Sequence, residues 1–350
     1  METSNRPINI NLTTSTVVKT ILLLILIYFI SIIKDILILL FVALILSSAF
    51  DPWVDWFQGK KIPRGIGILI IYLICFLVLG TALYLIIPPI IKEASALAAN
   101  FPQYFEKILS AFSSLKQYSL EHGILDNIQD SLGTISSNLQ IAAGSVFSTI
   151  TGIFGGIVSF FLVIVMTFYM VVEENSIKNL VRTLVPRHRQ IYAMHLINRM
   201  QIKLGLWLRG QLILSFSIFL ITFSVLFFLG INYALILALI AGITEMVPYL
   251  GPILGAVPAI FLAFTQSPVL ALIVAAAYYG IQLIENNFLV PKVMEKTVGL
   301  NPIISISALL IGFNIAGIVG AILSIPVATA LSVFIKDVFK KKEAEEAKNV

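Results

Sequence analysis

AGITEMVPYLGPILGAVPA, residues 241–259, is the stretch that decides how this chain is read. Glu245 stands in an apolar run that carries no other charge over residues 211–284. Pro248, Gly251, Pro252, Gly255 and Pro258 follow it, a set that a continuous helix does not favour. Proline removes a backbone donor and clashes with the preceding turn, so the helix is predicted to break near residues 247–252. At membrane depth, freed backbone groups are tolerated only where protein buries them or where they line a water-filled cavity. An intramembrane carboxylate beside a broken helix therefore reads as a transport site. The alternative is a proline-kinked helix whose Glu245 faces a loop at the membrane surface.

Composition sets the context. Hydrophobic residues make up 59% of the chain and charged residues 12%, against roughly 25% charged in soluble domains. Mean hydropathy is +0.99. Several uncharged stretches exceed the ~20 residues that cross a bilayer core, which predicts an all-α polytopic membrane protein. Cys75 is the single cysteine, so one chain forms neither a disulfide nor a cysteine-based metal site. His122, His188 and His195 fall in polar connections without metal-ligand spacing, and no metal is expected. The polar start METSNRPININLTTST lacks a small-residue cleavage site after a short apolar core, so no cleaved signal peptide is predicted. The net charge of +5 fits basic cytoplasmic loops rather than a nucleic-acid partner.

Taken in order, residues 17–33 and 36–50 read as two short spans turning at Lys34–Asp35, although no Gly or Pro marks that turn. Lys60, Lys61 and Arg64 follow, with Trp53 and Trp56 as interfacial anchors. Residues 66–87 form a third span that Pro88–Pro89 ends, so 1–88 holds the N-terminal tail and three spans. Residues 89–148 form an external helical region. A helix is expected to start at Phe101–Pro102, and Phe105, Ile108, Phe112 and Leu115, then Leu125, Ile128, Leu132, Ile135 and Leu139, make a narrow apolar seam. That seam faces either the protein's own helices or a second subunit.

Residues 149–172 span next, with Gly152, Gly155 and Gly156 allowing close helix approach. The connector at 173–210 carries Lys178, Arg182, Arg187, Arg189, Arg199, Lys203 and Arg209 against Glu173 and Glu174. Charge placement puts it inside the cell, with 51–65 and both termini, in a multi-pass plasma-membrane protein. Its apolar positions describe basic amphipathic helices along the inner surface. Residues 211–336 form the transport core and 337–350 a charged tail. Within the core, 234–263 is either one kinked crossing or a hairpin broken at 248–252. Residues 303–335 are interrupted by Gly312, Asn314, Gly317, Gly320 and Pro326. Two hairpins entering from opposite faces suit the charges better, giving about six full spans and two broken, re-entrant segments, about eight membrane segments in all.

Residues 209–326 resemble the AI-2E (autoinducer-2 exporter) family of membrane permeases. The resemblance rests on RGQ (209–211), EMVPYLGPILGAVPA (245–259), QLIENNFLVPKV (282–293), VGLNPIISISALLIG (298–312) and the spacing of Gly317, Gly320 and Pro326. The N-terminal half matches in layout. What the resemblance implies is export of a small solute such as autoinducer-2 in quorum sensing. It also implies, for some members, sodium or lithium/proton antiport, and assembly as a homo-oligomer, a pentamer.

Glu245 and Glu285 are the expected switches. A charged carboxylate in an apolar site is costly unless it is paired, hydrated or protonated, so it suits proton exchange or gating. Gln282, Asn286, Asn287, Asn301 and Asn314 offer uncharged donors and acceptors for a polyhydroxylated solute, or for sodium through their carbonyl oxygens. Tyr249 offers a hydroxyl or an aromatic wall. Each amide also has a simpler use as a helix cap, Asn301 before Pro302 above all. No phosphate-cradling Gly-x-x-x-x-Gly-Lys-Ser/Thr motif and no Ser/His/Asp set is present. The chain reads as a secondary transporter, not an enzyme, with no cofactor beyond a coupling H+ or Na+. A channel or a non-transporting scaffold is the alternative from another class.

Overall fold

The computed structural model describes residues 14–111, 156–173, 179, 181–183, 185–294 and 300–346. Regular structure among them is helical throughout. Helix α1 (Thr14–Gly59) is followed by α2 (Arg64–Ala111) and, further on, α3 (Ile157–Val172). A 3-10 turn at Arg187–Arg189 opens α4 (Gln190–Phe228), and α5 (Ala234–Thr244), α6 (Gly251–Gln266) and α7 (Pro268–Ile284) come next. A π-helical turn, Glu285–Leu289, joins α7 to the short α8 (Val290–Met294), and α9 is Pro302–Glu346. Among the described residues, five stretches are long and apolar enough to cross a membrane: Ile32–Gly59, Arg64–Glu93, Arg187–Phe228, Pro268–Met294 and Pro302–Asp337. The apolar α3, α5 and α6 are shorter.

Three connections correct the sequence reading. The turn expected at Lys34–Asp35 does not form, because α1 is continuous over 46 residues. A helical ladder propagates at little cost once nucleated, and nothing at 34–35 breaks it. Helix α2 runs through Pro88–Pro89, expected as a span end, and through Pro102, expected as a helix start. Proline costs a helix a bond and a bend, and at the exposed Pro88 and Pro89 the helix continues through both. The three spans expected in 1–88 are therefore two helices. The basic connector from Gln190 onward and the span after it are also one element, since α4 passes unbroken through 210–211. Of the seam at 105–139, Phe105 and Ile108 lie at the end of α2, and the positions from Phe112 onward fall outside the described residues.

Helices α4 to α7 fold back on one another in sequence. Gly230 (φ 67°) and Tyr233 (φ 63°) turn α4 into α5. A Cβ on Gly242 would lie 3.0 Å from the Ser215 carbonyl oxygen, which fixes α5 against α4. Gly251 lies against Thr244 and Gly255 against Ala241, so α5 and α6 are the arms of a hairpin with its tip at 245–250. Extended backbone at Ser267 (φ −162°), with Pro268 opening α7, reverses the chain once more.

Helix α9 is a second hairpin. Ala316 and Gly317 leave the helical region, and Gly317 takes φ 58°, a value that a Cβ disfavours. Gly312 and Gly320 then meet backbone to backbone. Residues eight apart in a straight helix lie about 12 Å apart, so the 36-residue stretch that composition marks as one span folds back on itself. Arg199, near the start of α4, pairs with Asp337, which sets the base of this hairpin at that end of the bundle. The α5–α6 hairpin hangs from the other end of α4 and points its tip the opposite way. At the end where α1 meets α2, Arg64 clamps three helices. It pairs with Asp51 at 3.0 Å and Asp55 at 2.6 Å, and donates to the Val171 carbonyl of α3 at 2.9 Å.

A methyl group on Gly320 would collide with the Gly312 carbonyl oxygen. Gly320→Ala is expected to cost about 1–3 kcal/mol, the range for overpacking, read as a lower midpoint of thermal unfolding in detergent. An unchanged midpoint would mean that the arms of α9 are not in backbone contact.

Candidate functional site

Where α5 stops, four backbone features converge. Thr244 is the last residue of α5, Pro248 stands inside the break, Tyr249 adopts φ 67°, and Pro252 occupies the first turn of α6. A left-handed backbone is strained for a residue with a Cβ and persists where the surroundings impose it. The freed backbone groups are met from within. Thr244 Oγ1 has the Ile240 carbonyl at 2.8 Å and, across the break, the Gly251 carbonyl at 3.0 Å as acceptors for its one proton, and Gln211 Nε2 of α4 donates to the Glu245 carbonyl at 2.6 Å. Gln211 is buried, so this bond joins the break to α4 away from solvent.

The second irregularity lies across from it. Over Glu285–Leu289 the helix widens by one residue, and the Val290 N–H donates to the Glu285 carbonyl. Pro291 follows, and its missing N–H would interrupt an ordinary α-ladder at this point. The wide turn leaves Glu285 6% exposed while Asn286, Asn287 and Phe288 are open.

Between break and π turn lies a cavity of about 700 Å³. Trp207, Gln211 and Leu214 of α4 form one wall, and Glu245, Pro248, Tyr249, Pro252 and Ile253 a second. Gln282, Glu285 and Asn286 supply the third, and Met294, Ser305 and Ile325 the floor. Glu245 is 4% exposed, and its carboxyl group lies against that of Glu285. Two carboxylates brought together away from water repel each other unless a proton lies between them. Gln282 Nε2 donates to Glu285 Oε2 and Asn286 Oδ1, each at 3.3 Å. Beyond the carboxyl contact, Glu245 Oε2 receives no hydrogen bond from the described residues, and the buried Trp207 Nε1–H finds no acceptor.

The structure thus brings Glu245, Tyr249, Gln282, Glu285 and Asn286 together around one cavity. It sets three others apart. Asn287 donates to the Leu283 carbonyl of its own helix, Asn301 Oδ1 accepts from the Ile303 N–H as a cap of α9, and Asn314 is exposed near the α9 turn. Among the residues expected to break helices, Pro248, Gly251 and Pro252 stand at the α5–α6 tip and Gly317 at the α9 turn. Gly255, Gly312 and Gly320 hold hairpin arms together, whereas Pro258 and Pro326 lie within helices. Trp207, Gln211 and Ser305 were not singled out from sequence. The one available signal was an amide and an indole in the RGQ region, without a partner nearby in the chain.

A family model described as AI-2E family transporter matches residues 19–340. YrrI of Bacillus subtilis (strain 168) is 30% identical over 311 residues, 86% of each chain. YueF of the same organism is 27% identical over 310 residues, covering 85% of this chain and 83% of its own. Both are named as candidate transport proteins. The AI-2 transport protein TqsA of Escherichia coli (strain K12) is 23% identical over 299 residues, 84% of this chain and 82% of its own.

Gln211→Leu removes the donor to the Glu245 carbonyl and keeps an apolar shape. Leaving that buried acceptor unpaired is expected to cost about 1–3 kcal/mol, and thermal unfolding in detergent measures it. A variant as stable as the parent would mean that another group meets the carbonyl.

Proposed function

The chain belongs to the AI-2E transporter family, and from that premise we propose that it is a secondary transporter exporting a small polar solute through the Glu245–Glu285 cavity. Family membership supplies transport in the membrane. What carries the site reading is a single observation: two buried carboxyl groups lie against each other where a helix break and a π turn meet. A carboxyl pair of this kind binds a proton when the site is closed off and releases it when a cation or water enters, which couples occupancy to an ion gradient. The two oppositely directed hairpins support re-entrant segments and alternating access around a fixed site. Arg64 opens α2, and Arg199 and Lys203 lie in the first half of α4, which supports placing that face in the cytoplasm, in the plasma membrane, with both termini inside. Assembly as a homo-oligomer remains a proposal that rests on the resemblance.

Autoinducer-2 is the first cargo to test, because one relative carries it in its name. The test reconstitutes the full chain in liposomes and follows internal pH as sodium, lithium or autoinducer-2 is added. Glu245→Gln and Glu285→Gln are each expected to slow coupled flux at least roughly tenfold, a loss of about 1.4 kcal/mol in the barrier. Variants that carry solute and protons at the parent's rate would make the pair structural and the site assignment wrong.

A further inference from the structure

The cavity also bears on what kind of solute enters. From its size, its charge and two unpaired polar groups among its lining residues, we infer that it takes a small organic cation carrying a hydroxyl group, exchanged for a proton at Glu245 and Glu285. This rests on the transporter reading above and sets a cation in place of the uncharged autoinducer-2 as the favoured cargo.

Size comes first. A volume of about 700 Å³ lies within the ~300–1,000 Å³ of small-molecule pockets and far exceeds the room a bare sodium ion or proton needs. Among the described residues no group of three or more His, Cys, Asp or Glu is placed to hold a metal ion. An organic solute fits that space.

Charge comes second. The described residues lining the cavity include two carboxyl groups and no Lys or Arg. Arg209 and Lys292, on the surrounding helices, are not among them: Arg209 Nε donates to the Gly205 carbonyl of its own helix, and Lys292 is exposed. An anionic solute would meet the carboxyl pair with no counter-charge in a poorly solvated site, and both Coulomb repulsion and desolvation would oppose it. A cation meets the opposite situation, with the Trp207 and Tyr249 rings as apolar walls that attract ammonium groups.

The third argument is independent of net charge. Glu245, 4% exposed, has a buried oxygen that no donor meets, and Trp207, 2% exposed, has a buried N–H that no acceptor meets. Both residues line the cavity. An ammonium N–H satisfies the first and a hydroxyl oxygen the second. Entry of the ammonium leaves both carboxylates charged and paired with it, and the exchanged proton departs to the solvent. No bond other than that O–H bond is broken.

The probes are aminobutanol, butanediol and hydroxybutyrate, alike in length and terminal hydroxyl and different in charge. Trp53→Phe and Trp56→Phe, both at exposed positions away from the cavity, leave Trp207 as the single indole of the full-length protein. Titrations in detergent follow Trp207 fluorescence and, in weak buffer, proton release. Aminobutanol is expected to bind at least roughly tenfold more tightly than butanediol, as a charge-assisted hydrogen bond implies. It should release about one proton per molecule bound, and hydroxybutyrate should not bind. Butanediol binding as tightly as the amine, hydroxybutyrate binding more tightly than either, or amine binding without proton release would each overturn the inference. If no probe perturbs Trp207 while solute flux still depends on Glu245, the cation class is wrong and the transporter reading stands. If flux is indifferent to Glu245, that reading fails first.

Discussion

The hydrogen bond from Gln211 to the carbonyl of Glu245 is the contact on which the rest of this arrangement depends. A helix that stops inside an apolar medium exposes peptide groups that water cannot reach, and each costs several kcal/mol if unmet. Here the side chain of a long, unbroken helix and the hydroxyl of Thr244 meet them. That allows α5 and α6 to be short and to turn within the protein. It also holds the backbone of Glu245 against α4, so that its carboxyl group is directed by a rigid neighbour rather than by a loop.

The two interruptions serve one purpose from different chemistry. In the 245–250 break, Pro248, the left-handed Tyr249 and Pro252 turn the chain over a few residues. At 285–289 the helix stays continuous but gains a residue in one turn, which shifts the face presented by everything beyond it. Glu245 and Glu285 meet because both irregularities occur at the same level of the bundle. Burying either carboxyl in its charged form would be costly, and a proton shared between the two would remove most of that cost. The apolar packing of Leu204, Trp207, Ile45 and Ile325 beneath them keeps the floor of the cavity fixed.

How much of this was legible in the sequence follows from how local each signal is. The 245–250 break was legible, because Pro248, Gly251 and Pro252 act on their own turns. The α9 reversal was legible as an interruption, yet its hinge at Ala316–Gly317 was one of several glycines that looked alike. Glu285 was legible as a candidate switch at the end of an apolar run, but its burial was not, since a π turn leaves no mark beyond Pro291. Gln211 was missed because its partner lies 34 residues away. The supposed turn at Lys34–Asp35 came from measuring apolar length against bilayer thickness, and a helix is free to exceed that thickness. The amides show the same division. Asn301 caps the turn beside it, as a local rule allows, while nothing in the sequence told Asn286 at the cavity from Asn287 beside it.

Helix α4 has a mechanical property that its length confers. It runs as one rod of 39 residues, and the cavity wall at Trp207 and Gln211 sits part-way along it. Arg199, tied to Asp337, lies about 15 Å to one side of position 209, and Phe228 about 28 Å to the other, at the usual helical rise. A stiff rod that tilts about an interior fulcrum swings its two ends in opposite senses, the longer arm through the greater arc. Tilting about position 209 would leave the cavity where displacement is smallest. It would gear the two faces of the bundle to each other through a single helix, so that widening one side narrowed the other without any second moving part.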